Sequence, residues 1–156
     1  PAILVLGQLD ERYQQATTVA YLGACQALWQ PLEAREFHGA AIEPIQSITV
    51  IGEFDSHYAN AIAQGQYAAR DLCGTEPERM APPKFAEYCE SLFANSAVSV
   101  EVISDTQFID KNYPMLSTVA RASYAVERHH PRVVKLEYVP EGDIERTLLF
   151  VGKGLV

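Results

Sequence analysis

The sequence predicts an α/β fold with a mixed sheet and flanking helices. Three observations carry this reading. Short apolar runs that read as strands, at residues 2–6 and 47–51, alternate with longer stretches of helical spacing. The chain then closes on two strand-like runs, 132–139 and 147–151, with a turn containing Gly142 between them. Composition is that of a globular chain, 48% hydrophobic and 21% charged, which is too apolar for disorder. The 156 residues suit one domain, or a small domain plus part of another.

Each element has a local cause. Residues 2–6 are a continuous apolar run closed by Gly7, as in a buried strand. Residues 11–29 place Ala16, Val19, Ala20, Gly23 and Ala27 at roughly helical spacing, and Pro31 ends that helix. Residues 47–51 form a second short strand before Gly52. Asp55 or Ser56 can cap a long helix to about Leu72, whose apolar side is Ala59, Ile62, Ala63, Tyr67 and Ala69. A turn-rich connection covers 73–83. Pro82 and Pro83 suit the first turn of a helix over 83–94, with Phe85, Tyr88, Cys89, Leu92 and Phe93 on one side. Residues 98–103 alternate as a strand. Asp105 caps a short helix at 106–111, and Pro114 opens another over 114–122. In 132–139, Val134, Leu136 and Tyr138 alternate with Lys135 and Glu137. Residues 147–151 are more continuously apolar, as a buried central strand would be.

Charge narrows the function. Twelve basic residues against twenty acidic ones give a net charge of −8. No lysine precedes Lys84, and basic residues are not clustered, so tracking a phosphate backbone is disfavoured. A basic membrane-surface helix is disfavoured likewise, and no apolar run is long enough to span a bilayer. Cys25, Cys73 and Cys89 are odd in number and far apart, with no C-x-x-C pair. They read as three small buried residues in a reducing compartment, with the cytosol expected. The chain starts at Pro1 without a methionine and stops just after an apolar run, so its length is expected to fall short of the whole protein's. Charge balance and lysine use both shift near residues 53–60, which suggests a domain boundary there.

The residues that could carry chemistry are few. Gly152-Lys153-Gly154 follows the apolar run 147–151, and ligands collect beyond the carboxyl ends of strands in open α/β sheets. A phosphate loop fails, because the earlier glycine and the following Ser or Thr are missing. A lysine amine held neutral beside a metal ion is one surviving reading; a turn with an exposed lysine is the other. His129 and His130 are adjacent and His38 and His57 isolated, which is poor spacing for a shared ion. Trp29 and the eight tyrosines read as core or interface, since no basic residues interleave with them. No carboxylate pair has general acid/base spacing.

Beyond these local readings, the chain resembles the leucine (cytosol) aminopeptidase family. Residues 64–94 look like the start of that family's catalytic domain, with a G-x-x-x-A-R-x-L core at Gly65, Ala69, Arg70 and Leu72. A second helix of the family's type follows around Pro82, Pro83, Phe85 and Ala86. Residues 113–123 look like its glycine-rich segment, and 132–139 like the strand after it. The most specific part is FVGKG at 150–154, which resembles the family strand whose lysine binds a metal. The likeness covers about 58–156, in order.

The resemblance implies residues 1–58 as part of an N-terminal α/β domain and 59–156 as the incomplete start of the catalytic domain. It implies two divalent metal ions (zinc, manganese or magnesium), with Lys153 as a metal ligand and no catalytic residue within this chain. The activity implied is release of N-terminal residues from peptides, one metal polarising the scissile carbonyl while a bridging water attacks. Substrate-binding residues are not assigned. The remaining catalytic groups are expected beyond Val156 or on another chain, the assembly as a homo-hexamer, and the compartment as cytoplasmic, with neither nucleic acid nor membrane as partner. The sequence departs from the family at Ala120 and Ala122, where glycines are common, and at 76–79, where many relatives carry an asparagine. Two other readings stand beside it: a catalytically silent relative with a structural or assembly role, and an unrelated small-ligand-binding α/β module.

Overall fold

The computed structural model describes residues 1–7, 10–43 and 45–154. The architecture is α/β, and the chain divides into two compact units, Pro1–Thr75 and Glu76–Val156.

The first unit is built on a β-α-β crossover. Strand β1 (Ala2–Val5) and strand β2 (Ile48–Ile51) pair in parallel, in the register Ala2↔Ile48 to Val5↔Ile51. Parallel neighbours require a long connection, here two helices. Helix α1 (Ala16–Leu28) stops before Pro31, and helix α2 (Leu32–His38) starts directly after it. Alternation along both strands gives the pair two unlike faces. Ala2, Leu4, Ile48 and Val50 are half-buried, while Ile3, Val5, Thr49 and Ile51 are exposed. The half-buried side borders an apolar groove that Leu4, Ala24, Ala27, Leu28, Ile45 and Ile48 help to line.

Helix α3 (Ser56–Gly74) begins at Asp55, whose carboxylate accepts from the Tyr58 amide at 2.9 Å. This satisfies one of the amides that a helix start leaves unpaired. The helix packs on α1: the Tyr21 ring lies 5.3 Å from that of Phe54, and the Tyr21 hydroxyl donates to Asn60 Oδ1 at 2.5 Å. Ala59 is fully buried, as its place on the predicted apolar side requires.

The second unit is built on an antiparallel pair. Strand β3 (Val98–Ile103) pairs with strand β4 (Val133–Tyr138), from Val98↔Tyr138 to Ile103↔Val133. Glu101 stands opposite Lys135, and their side chains meet at 3.1 Å. Helix α4 (Pro82–Phe93) has proline in its first turn and packs on β3. Helix α5 (Thr106–Asn112) is capped by Asp105, which accepts from the Gln107 and Phe108 amides at 2.9 and 3.3 Å. Pro114 opens helix α6 (Pro114–Ala120), and short 3-10 turns follow at Arg121–Ser123 and Glu127–His129. Met80, Ala81, Ala86, Cys89 and Ile109 form this unit's buried apolar set.

Three expectations need correction. The strand expected at 147–151 is not formed among the described residues, and Leu148, Leu149, Phe150 and Val151 are 77%, 87%, 87% and 89% exposed. A strand exists only by pairing, and this run has no described partner. On α4 the buried residues are Ala86 and Cys89; Phe85 and Leu92, placed on the same side by spacing, are exposed. Of the cysteines all three are free, but only Cys89 is buried; Cys25 is half-buried and Cys73 exposed. No helix among the described residues is long and apolar enough to cross a membrane.

Candidate functional site

Lys153 follows a segment with little regular structure. Gly142 makes the turn after β4 at φ 96°, a left-handed conformation that favours glycine. From there to Gly154 the chain runs exposed and without regular secondary structure. Lys153 itself is exposed. The flanking glycines serve no close approach here, because a Cβ at Gly152 or Gly154 would meet open space. Leu155 and Val156, which complete the 152–156 stretch, lie outside the described residues.

No group of three or more His, Cys, Asp or Glu side chains is placed to hold a metal among the described residues. A two-metal centre needs several oxygen or nitrogen donors converging on each ion. The described residues therefore do not make that centre by themselves, and Lys153 stands exposed. Three of the four histidines are used elsewhere. His129 Nε2 lies 2.9 Å from a Glu78 carboxylate oxygen, His130 Nε2 lies 3.1 Å from the Tyr124 carbonyl oxygen, and the His38 ring packs against Phe37.

The residues matched to family motifs sit on defined elements: Gly65, Ala69, Arg70 and Leu72 on α3, Phe85 and Ala86 on α4. Beside Arg70 lies a polar cluster that sequence reasoning missed. Asp71 is 1% exposed and accepts from Trp29 Nε1 at 3.0 Å and from Arg35 Nη2 at 2.5 Å. The Arg35 guanidinium stacks 4.8 Å over the Tyr67 ring, and the Tyr67 hydroxyl donates to Glu43 at 3.1 Å. Burial pushes the Tyr67 phenol up from its ordinary pKa, and the bond to Glu43 adds to that. Arg70 donates to the Gln26 carbonyl at 3.1 Å and lies over the Trp29 ring. The visible signal was Asp71 one turn beyond Tyr67 on the helix (positions i and i+4 share a face), but its partners on α2 and at Trp29 are fixed only by packing.

Two further carboxylates gather donors in the second unit. Asp110 accepts from the Ser117 hydroxyl at 2.5 Å and the Tyr124 hydroxyl at 2.6 Å. Both bonds favour the charged form, so its pKa falls below the usual carboxylate range. Glu78 accepts from His129 and from Arg128 Nε, and these bonds, the one from His129 first, lower its pKa in the same way. These are structural arrangements: none lies beside Lys153 in sequence, and none forms a nucleophile–base pair.

Against known proteins, residues 67–156 match the model of the cytosol aminopeptidase family, catalytic domain. The chain belongs to that family. A Caenorhabditis elegans protein that carries an aminopeptidase name is 35% identical over 94% of this chain and 29% of its own length. Relatives named as cytosol aminopeptidases include one from Leifsonia xyli, 30% identical over 99% of this chain and 37% of its own length. Another, from Aeropyrum pernix, is 29% identical over 90% of this chain and 27% of its own length. The chain thus spans roughly a third of the length of the relatives it matches. No solved structure matches it. The family segment begins within α3, contains all of the second unit's described elements, and includes Lys153.

Proposed function

We propose that this chain is part of a metal-dependent aminopeptidase that releases N-terminal residues, leucine among them, from peptides. The observation that supports it is the match to the family's catalytic domain over 67–156, a span that takes in Gly152-Lys153-Gly154. In this reading Lys153 offers its amine, neutral beside a cation, as one ligand of a centre holding two divalent ions (zinc, manganese or magnesium). The other ligands and the catalytic groups come from chain outside these 156 residues, consistent with relatives about three times as long. Residues 1–58 belong to an N-terminal domain and 59–156 to the catalytic one. The assembly is a homo-hexamer in the cytoplasm, with peptides as its substrates and no nucleic acid or membrane partner. Three free cysteines suit a reducing compartment.

The test is hydrolysis of a leucyl amide by the whole protein, before and after a chelator and after adding back each metal. Activity should vanish with chelation and return with metal. Lys153→Ala should lower it by at least about a hundredfold, since even groups behind a metal's direct ligands cost up to that much. The 156-residue chain alone should be inactive. Absence of hydrolysis in the metal-loaded whole protein would favour a catalytically silent relative instead.

A further inference from the structure

We propose that the run 147–151 is a pairing strand whose partner is the same run of a second copy of this chain, laid antiparallel about Leu149. The run has the makings of a strand and stands bare. Leu148, Leu149, Phe150 and Val151 are consecutive, large, apolar and exposed. Thr147, Phe150 and Val151 are β-branched or aromatic, which favours extended chain. An exposed run of this kind presents amides and carbonyls that another strand can pair with, and apolar side chains that pairing helps to cover.

Charge complementarity selects the partner. With Leu149 opposite itself, Leu148 faces Phe150, Thr147 faces Val151 and Glu145 faces Lys153, each pairing made twice by the two-fold axis. The apolar centre is thus framed at both ends by opposite charges, on side chains that are exposed in the single chain. A parallel pair in register would instead set Glu145 against Glu145 and Lys153 against Lys153, which is unfavourable. Strand β4 of the same chain is a poorer partner. Its Val134, Leu136 and Tyr138 alternate with Lys135 and Glu137, whereas the run is apolar on both faces. In any register one apolar face of the run would lie against Lys135 and Glu137. The second copy matches both faces, and because the contact is one patch used twice, it closes at two. It needs Lys153 charged, so it belongs to the chain without a bound cation. This inference rests on strand register and not on the proposed activity.

Sedimentation of the 156-residue chain in the presence of a chelator reads the contact. The unmodified chain should pass from monomer to dimer as its concentration rises. Glu145→Lys and Lys153→Glu each put like charges at both ends of the pair. Each should weaken dimerisation about tenfold, since two exposed attractions become two repulsions. Mixed in equal amounts, the two variants should pair with each other about as tightly as the unmodified chain pairs with itself, because opposite charges meet at both ends again. Leu149→Lys sets two cations face to face at the centre and should abolish the dimer. The substituted residues are exposed in the folded chain, so folding does not depend on them. A chain that stays monomeric, or variants that associate as the unmodified chain does, would overturn the proposal. So would a mixture that pairs no more tightly than its parts, or growth beyond two copies.

Discussion

Asp71 in the first unit and Glu78 in the second are built alike and placed differently. Each carboxylate takes one bond from an arginine and one from an aromatic-ring N–H. Asp71 is sealed on the inner side of α3, whereas Glu78 and Arg128 stand mostly in water. In the sealed site a lost bond cannot be replaced by water, so the partners keep an unmet charge or donor. At the surface, water and salt take over most of what is lost. The same pair of bonds therefore organises three elements of the first unit, α2, α3 and the Trp29 end of α1, but only fastens a turn in the second.

The sharpest way to break this comparison is Asp71→Asn. The amide keeps the shape but removes the carboxylate charge that Arg35, itself largely buried, is bonded to. Unfolding free energy should fall by about 3 kcal/mol, the low end for breaking a buried pair because Arg35 is partly wetted. Trp29 is the sole tryptophan and touches Asp71, so its fluorescence during denaturant unfolding reports this unit. A loss under about 1 kcal/mol would mean that Asp71 behaves like a surface carboxylate, no different in kind from Glu78.

The second unit should be most sensitive at an apolar residue instead. Ile109 on α5 is fully buried. Ile109→Ala removes buried methyl groups and leaves a void, at a cost of about 2 kcal/mol. The Cys89 thiol, whose pKa burial pushes up, gives a local readout. Its labelling by a thiol reagent should quicken about thirtyfold, while the Trp29 transition keeps its midpoint. If the Trp29 midpoint shifts as far as the labelling rate implies, the two units unfold together and must be treated as one.

What the sequence disclosed follows the same divide between local and packed causes. Strands β1 to β4 and helices α3 to α6 carry their own signals: a capping Asp55 or Asp105, a first-turn Pro82 or Pro114, a clean alternation from Val134 to Tyr138. Helix α2 carries no such signal, because Pro31 marks the end of α1 and can equally stand just before a new helix. The run 147–151 misled for the opposite reason: it has strand composition, but composition does not supply a partner. Phe85 and Leu92 failed because spacing defines a helix face without saying which part of it is covered. Of the candidate site, local pattern left Lys153 open between a metal-held amine and an exposed turn, and likeness to a family motif is what favours the first; among the described residues no group of three or more His, Cys, Asp or Glu is placed to hold a metal. The Asp71 cluster joins residues up to 42 positions apart, a distance no local pattern reports.

The smallest expected effect is the pH response of Asp110, another exposed carboxylate acceptor of the second unit. Ser117 and Tyr124 donate to its carboxylate and hold its pKa below the usual range. The sign follows from linkage. A group whose folded pKa is depressed adds stability above its unfolded pKa, and that addition fades as pH falls through the folded value. Asp110→Asn should therefore be less stable than the unmodified protein at neutral pH, with the gap closing below about pH 4, where free aspartate takes up its proton. Denaturant midpoints of the two proteins, taken from neutral to acid pH, measure the gap. A gap that stays constant would trace the loss to shape and not to charge.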